Sequence, residues 1–226
     1  MMKCIWPLGI VLALTTALPA AMWHGPTPYL EFADSPFHGL SFQSFYLEDF
    51  EDGLLNTPGV SASGGYLTST NPSFATYVDS VDADDGSIDG SGSNGESWFF
   101  SPGSVGITFT SDMLPTHFGV VWTDGNGGTT FEAFNVHGVS LGTIGPVGIA
   151  DGAYTGATAE DRFFGVSDPA GIWKIKISNS QAGIEVDHLQ YGVVPVPGAV
   201  LLGMLGLGAA GMRLRRSPGT SRVVQS

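Results

Sequence analysis

Cysteine and basic side chains are scarce in this chain of 226 residues. Its one cysteine, Cys4, precedes an apolar stretch that is typical of a cleaved export signal, so the mature chain is expected to hold no disulfide and no thiolate metal site. Between Glu31 and Asp187 only three basic residues accompany all 21 acidic ones. A body with this charge repels phosphate backbones, which excludes nucleic acid as a partner and favours divalent cations.

Sustained helical periodicity is also missing between the two ends of the chain. The 33 glycines and 14 prolines predict many turns between short strands, and no internal repeat indicates a propeller or β-helix. We predict an all-β domain, a β-sandwich of jelly-roll type, with a closed barrel as the competing architecture. The predicted strands are 45–51, 60–68, 76–82, 97–101, 105–110, 117–122, 129–136, 162–166, 171–178 and 184–191. Hairpin turns are expected in "TDGNGGTT" after Trp122 and in "HGVS" after Val136.

The domain boundaries follow from shifts in composition. Residues 1–21 combine Lys3, an apolar run and small residues before Met22, which predicts an N-terminal signal helix and export. Residues 22–43 are aromatic and proline-rich without a clear period, and they are interpreted as an irregular leader or an irregular first strand. Residues 44–192 form the predicted β-sandwich ectodomain.

The C-terminal stretch 193–217 has three parts in order. Pro195, Val196 and Pro197 precede the uncharged span 196–212, and a basic cluster follows it at Arg213, Arg215 and Arg216. Seventeen uncharged residues are within reach of a bilayer span, so a transmembrane helix is expected there. The arginines orient the acidic body outward and leave 218–226 as a cytoplasmic tail.

This tail resembles the sorting signal of PEP-CTERM proteins, although Val196 stands where the family has glutamate. The resemblance implies a bacterial protein that is exported, anchored as a membrane precursor, and then cleaved near the proline motif by the membrane protease exosortase. The stretches "YLEDFEDGLLNTPGVSAS" and "EDRFFGVSDPAGIWKIKISNSQAGIEVDHLQYG" resemble the β-sandwich ectodomains that often precede such tails. Placement at the cell surface or in the extracellular matrix, often linked to exopolysaccharide, is what this resemblance implies.

An acidic loop is the first candidate for Ca²⁺. It carries Asp82, Asp84, Asp85 and Asp89 beside Gly86 and Gly90, and oxygen-rich turns of this kind suit a hard cation. The spacing departs from the EF-hand, and a solvated acidic loop is the alternative.

A second candidate joins the ends of the domain. Glu48 and Glu51 lie in "LEDFEDG", and Asp187 lies on the last predicted strand, which neighbours the first in a jelly roll. This arrangement resembles carbohydrate-binding sandwiches in which such segments share a structural Ca²⁺. A surface-exposed acidic strand end is the alternative.

Signals for catalysis are weak, and we predict no enzyme. Gly138–Gly142 spells G-x-S-x-G around Ser140, but the following residues cannot form the helix of a hydrolase elbow, so a hairpin is favoured. The five histidines lack zinc-ligand spacing. The separation of paired carboxylates for glycoside hydrolysis is a spatial question that the sequence leaves open.

The sequence therefore predicts an exported surface or matrix protein whose domain binds polysaccharide. Five aromatic residues are candidates for stacking on sugars, with the core or rim of the sandwich as the alternative. They are Trp98, Trp122, Tyr154, Trp173 and Tyr191. The competing functions are a secreted hydrolase and a purely structural matrix protein.

Overall fold

The computed structural model describes residues 20–71, 73, 78–81, 95–153 and 160–195. Within them it contains ten strands and two 3₁₀ turns, Phe32–Asp34 and Thr68–Thr70, and this confirms the all-β class. The strands are β1 Met22–Pro28, β2 Ser44–Glu48, β3 Val60–Ser63, β4 Tyr66–Leu67, β5 Trp98–Phe100, β6 Ile107–Ser111, β7 His117–Phe134, β8 Ser140–Gly148, β9 Arg162–Ser167 and β10 Lys174–Val193.

All the strand pairs in this part of the chain are antiparallel, and they belong to one sheet. The main order is β1-β9-β7-β10-β5-β4. Strand β8 pairs with the second half of β7. Strand β6 pairs with the first half of β10, and β3 pairs with β6. The long strands β7 and β10 are therefore the centre of the fold.

These two strands replace four predicted ones, and the hairpin expected in "TDGNGGTT" was wrong. Strand β7 runs on through this glycine-rich stretch, and β10 likewise crosses the predicted break between 178 and 184. Their shared ladder shifts register four times, with bulges on both sides of Gln181. Bulges and glycines let a strand bend without ending. The glycine-rich residues that usually favour a turn therefore produce a bend in both strands, which we call the crease.

One hydrophobic core contains side chains from both halves of β7 and of β10. Phe131, beyond the crease, stacks on Phe164 of β9 with ring centroids 6.0 Å apart, and it contacts Trp23 of β1 edge-on at 6.1 Å. The sheet thus curls onto itself, because strand residues on either side of the crease bury the same apolar surface.

The first strand comes from the segment interpreted as a leader or an irregular strand. Residues Met22–Pro28 pair with β9, with a register shift between His24 and Thr27. The following residues 29–43 are turns and a 3₁₀ segment. Strand β2 pairs with β10, with Glu48 opposite Leu189, so the strand predicted from residue 45 and the last predicted strand are neighbours, as the sequence indicated.

Two further differences concern single strands. Strand β8, Ser140–Gly148, was not predicted, because glycine and proline recur through it. Of the predicted strand 76–82, residues 78–81 are described and do not form a strand. The turn expected in "HGVS" does connect β7 to β8.

No helix in the described ranges is long and apolar enough to cross a membrane. The predicted signal helix, apart from residues 20 and 21, and the predicted span 196–212 lie outside those ranges, as does the tail 218–226.

Candidate functional site

A pocket opens where β7 and β10 bend together. Asp124 is opposite Glu185, Gly125 is opposite Ile184, and Asn126 is opposite Gln181. The pocket has a volume of about 440 Å³. Its lining residues are Phe99, Ser101, Asp124, Gly125, Asn126, Ala153, Ala182, Gly183, Ile184 and Glu185.

Two glycines allow the chain to pack closely beside this pocket. A side chain at Gly183 would place its Cβ 2.6 Å from the ring of Phe99, and one at Gly125 would collide with the amide of Asn179. Mostly apolar walls with a few converging polar groups are typical of ligand pockets of this size. The crease therefore supplies a concave surface with one aromatic ring and two carboxyl groups.

Carboxyl groups extend from the pocket into the protein. Six buried acids, which we call the acidic network, are linked by hydrogen bonds or close electrostatic interactions. They are Asp79, Asp124, Glu160, Asp161, Glu185 and Asp187. Among charged groups of the opposite sign, Arg162 is the one that acts on Asp161. Buried carboxylates without matching cations are costly, so this network must hold protons or a cation.

Asp124 and Glu160 share a hydrogen bond between their side chains. Burial raises the pKa of Asp124 to about 6, while the N–H of Gly125 and the bond to Glu160 oppose this rise. Burial and the negative charges of Asp124 and Asp151 raise the pKa of Glu160 to about 8, against the opposing N–H of Asp151. Both carboxyl groups thus hold protons more tightly than exposed ones do, which favours one proton shared between them.

Glu185 lies on the wall of the pocket and is almost fully buried. Its carboxyl accepts hydrogen bonds from the backbone N–H of Asp79 and the hydroxyl of Thr68, both at 3.2 Å. Burial, followed by the charge of Asp124, raises its pKa to about 8. The pocket thus carries less negative charge at neutral pH than two fully ionised carboxylates would give it.

Two of the residues predicted to bind Ca²⁺, Glu51 and Asp187, lie close together in the structure. The hydroxyl of Ser80 lies 3.1 Å from Asp187 Oδ2 and 3.2 Å from Glu51 Oε1. The N–H of Val81 donates to the same Asp187 oxygen at 2.9 Å. Glu51 and Asp187 therefore approach one hydroxyl, which agrees with the expected proximity of the first and last predicted strands.

Glu48, the third member of that predicted set, has a different role in the structure. Its Oε2 accepts the N–H groups of Asn56 and Thr57 at 2.8 and 2.9 Å, and its Oε1 accepts that of Phe50 at 3.3 Å. These bonds fasten the loop after β2, because they satisfy three backbone donors at once. Glu48 is a loop anchor in this arrangement.

The remaining predicted site residues can be placed only in part. Asp82, Asp84, Asp85 and Asp89 lie outside the described residues, as do Val196, Pro197, Arg213, Arg215 and Arg216. Pro195 is exposed just after β10. Among the residues the structure describes, no group of three or more His, Cys, Asp or Glu side chains is placed to hold a metal ion.

Ser140 begins β8 beside the turn that follows β7, and its hydroxyl donates to Glu132 at 2.7 Å. His188 is buried elsewhere, where its Nδ1 bonds the hydroxyl of Tyr29 at 2.8 Å. The G-x-S-x-G segment thus lies in a hairpin, as favoured from the sequence. Of the described aromatic candidates, Trp122 and Tyr191 are in the core, while Trp98 and Trp173 are half-buried.

No protein-family model, curated protein or solved structure matches this chain. Sequence reasoning did not single out Asp124, Glu160, Asp161 or Glu185 as site residues. The one local signal was the alternation of "IEVD", which sets Glu185 and Asp187 on the face opposite Ile184 and Val186.

Proposed function

We propose that this chain is an exported bacterial protein of the cell surface or extracellular matrix whose β-domain binds an uncharged polysaccharide in the crease pocket. The observation that carries this proposal is a concave site with an aromatic wall, two carboxyl groups and the polar side chains of Ser101 and Asn126. Sugar hydroxyls donate well to carboxyl and amide oxygens, and sugar rings pack on aromatic faces. The acidic body favours neutral glycans because it repels acidic ones.

A jelly-roll sandwich is the architecture we propose for this domain. Its support is the larger hydrophobic core, to which both halves of β7 and β10 contribute, together with the pairing of β2 and β10. In such a fold the two long strands pass from one layer to the other at the crease.

Binding should depend on an open pocket. We expect a Ser101→Trp variant of the full chain to lose at least tenfold in affinity for neutral glycans, because a large side chain at this exposed rim position covers the entrance. Ser104→Trp, at an exposed position in the same loop but outside the pocket lining, is the matched control. A glycan array followed by calorimetry on the best ligand measures both variants.

Two results would reject this proposal. Absence of binding to any glycan would favour a purely structural matrix protein, and equal binding by both tryptophan variants would place the ligand elsewhere.

Release of new reducing ends from the bound glycan would instead favour the secreted hydrolase. The proton shared by Asp124 and Glu160 gives that second function its support, since such pairs serve as acid and base. Loss of this release in Asp124→Asn would assign the chemistry to the pair.

Export and sorting complete the proposal. The tripartite tail supports a membrane-anchored precursor that exosortase cleaves near Pro195. We expect the mature protein from its host to begin near Met22 and to end near Pro195, as measured by intact mass. Replacing both Pro195 and Pro197 with alanine should retain the tail. A wild-type mass that includes residues 198–226 would contradict the sorting signal.

A further inference from the structure

Ser35 and Gln190 form a buried pair that lies apart from the crease pocket. Ser35 follows the 3₁₀ turn Phe32–Asp34, and its hydroxyl donates to the side-chain carbonyl oxygen of Gln190 at 2.6 Å. The relative exposure is 5% for Ser35 and 0% for Gln190. The two residues are 155 positions apart in the sequence, so this contact joins the segment after β1 to the last strand of the sheet.

The backbone holds both partners in place. The N–H and the C=O of Ser35 are hydrogen-bonded to neighbouring turn residues, at 3.1 and 2.9 Å. Gln190 lies within β10, opposite Leu47 on one side and Gly119 on the other. The serine hydroxyl therefore stays next to the amide group. Groups that a fold holds in contact in this way react much faster than the same groups free in solution.

This contact places a nucleophile beside an electrophilic carbon. The Cδ atom of Gln190 is one C=O bond, about 1.2 Å, from the oxygen that Ser35 contacts. A small rotation of the hydroxyl brings Oγ against Cδ. The N–H of Phe37 donates to the same Oγ at 3.1 Å, so negative charge that develops on this oxygen as it loses its proton is stabilised.

The amide nitrogen of Gln190 has a proton source beside it. Its Nε2 donates to the hydroxyl of Tyr29 at 2.9 Å, and this hydroxyl lies 2.8 Å from His188 Nδ1. An amide nitrogen becomes basic once its carbonyl carbon is tetrahedral, and it leaves after it has accepted a proton. Tyr29 can then donate to this nitrogen, which places its hydroxyl as the general acid.

We propose that Ser35 and Gln190 form an intramolecular ester cross-link with release of ammonia. Oγ of Ser35 bonds to Cδ of Gln190, and the serine proton moves to Oε1. The C=O bond then re-forms as the Cδ–Nε2 bond breaks, and Tyr29 protonates the departing nitrogen. The proton that Oε1 loses in this step replaces the one that Tyr29 gave. One hydroxyl and one amide thus give one ester and one ammonia molecule, and no oxidant, reductant or further reactant is consumed.

The surroundings protect the product. Hydrolysis of the ester needs water at Cδ, and Tyr29, Ser35 and Gln190 are all buried. A covalent link across a loop of 155 residues removes much of the conformational freedom of the unfolded chain. The cross-link therefore stabilises the fold. It is independent of glycan binding, because none of these three residues lines the crease pocket.

The intact mass of the full chain, purified in its folded form and then denatured, tests this cross-link. We expect the mass to be lower than the sequence gives by that of one ammonia molecule. Proteolysis should yield a branched peptide that joins the segments of Ser35 and Gln190, and hydroxylamine should separate its two parts. A folded chain that keeps its full mass, or a digest without this branched peptide, overturns the proposal.

Variants of the nucleophile assign the reaction to Ser35. Ser35→Ala should keep its full mass and should unfold at a Tm about 10 °C below that of the cross-linked wild type. Ser35→Thr keeps a hydroxyl and should restore the loss of ammonia. The matched control is Ser41→Ala, at an exposed position in the same segment, which should cross-link like the wild type.

Loss of ammonia that persists in Ser35→Ala would overturn the cross-link, since it would come from another site such as cyclisation at Asn126 before Gly127. If Ser35→Ala does not fold, Gln190→Met removes the electrophile at similar length and should also keep its full mass. The branched peptide of the wild type is decisive without either variant.

Tyr29→Phe separates proton donation from packing. Phenylalanine keeps the ring that stacks on Phe163, with centroids 6.1 Å apart, but it has no proton to give. We expect the cross-link to form at least tenfold more slowly in this variant, as followed by intact mass after purification. Formation at the wild-type rate would overturn the role of Tyr29 as the general acid.

Discussion

A Trp122→Ala variant is expected to lose about 4 kcal/mol of unfolding free energy, which is the usual cost of removing a buried tryptophan. Trp122 has a relative exposure of 0%, and its indole N–H donates to Asn179 Oδ1 at 3.0 Å. The same oxygen accepts the hydroxyl of Thr129 at 3.0 Å, and Asn179 Nδ2 donates to the carbonyl of Gly183 at 2.9 Å. The substitution thus leaves a cavity and weakens the bonds that hold β7 and β10 at the crease.

Urea unfolding of the full chain measures this loss. Trp173→Ala is the matched control, because Trp173 is half-buried and packs against Lys174, and its removal should cost about 1 kcal/mol. Trp122→Phe should fall between the two, since it keeps much of the packing and loses one hydrogen bond. Equal losses for Trp122→Ala and Trp173→Ala would contradict the central position of Trp122.

Glu185→Gln is expected to stabilise the protein at alkaline pH by on the order of 3 kcal/mol. The pKa of Glu185 is raised to about 8, so the folded state keeps a proton that the unfolded state releases above its ordinary pKa near 4.5. The contribution of this group to the free energy of unfolding is therefore fully present at low pH and is lost as the pH rises through about 8. Glutamine removes this loss because it stays neutral, and the rotating hydroxyl of Thr68 can bond either of its side-chain ends.

Denaturant unfolding at about pH 5 and about pH 9, both in EGTA, tests the sign as well as the size. The gain should be large at the higher pH and close to zero at the lower one. The exposed Glu31→Gln gives the control, with little change at either pH. A gain of the same size at both pH values would mean that packing, and not ionisation, determines the effect.

Much of the sheet could be predicted from the sequence, because short apolar runs and their alternation report directly on burial. The cores of β6, β9 and the two ends of β10 lie where this pattern placed them. The path through residues 124–128 could not be predicted in this way. Glycines permit a tight turn and a bent strand equally well, and only the partner strand β10 decides between them.

The end of β10 shows a second limit of prediction from sequence periodicity. Alternation through "IEVDHLQYG" fails near His188, where the sequence alone gave no reason. In the structure His188 has a φ of 42°, and the ladder shifts register between Asp187 and Gln190. This bulge returns Leu189 and Tyr191 to the core while Asp187 keeps facing the acidic network. Local periodicity cannot reveal a bulge that depends on packing.

The acidic network lay beyond sequence reasoning for a related reason. Asp79, Asp124 and Asp161 are separated by tens of residues. They come together only because β9 pairs with β7, β7 pairs with β10, and the segment 78–81 bonds to side chains of β10. The sequence showed an excess of acids but not which of them would be buried. Glu51 and Asp187 were the exception, because adjacent first and last strands are a property of the fold class.

The length of β10 has a mechanical consequence. This strand ends at Val193, so tension applied through the C-terminus enters the domain along its most connected strand, which pairs with β2, β5, β6 and β7. Such a load acts parallel to the strand and strains many ladder bonds together, whereas peeling an edge strand would break them one at a time. Resistance to forced unfolding is governed by the unfolding rate. A domain held by this end is therefore suited to bear shear at a surface.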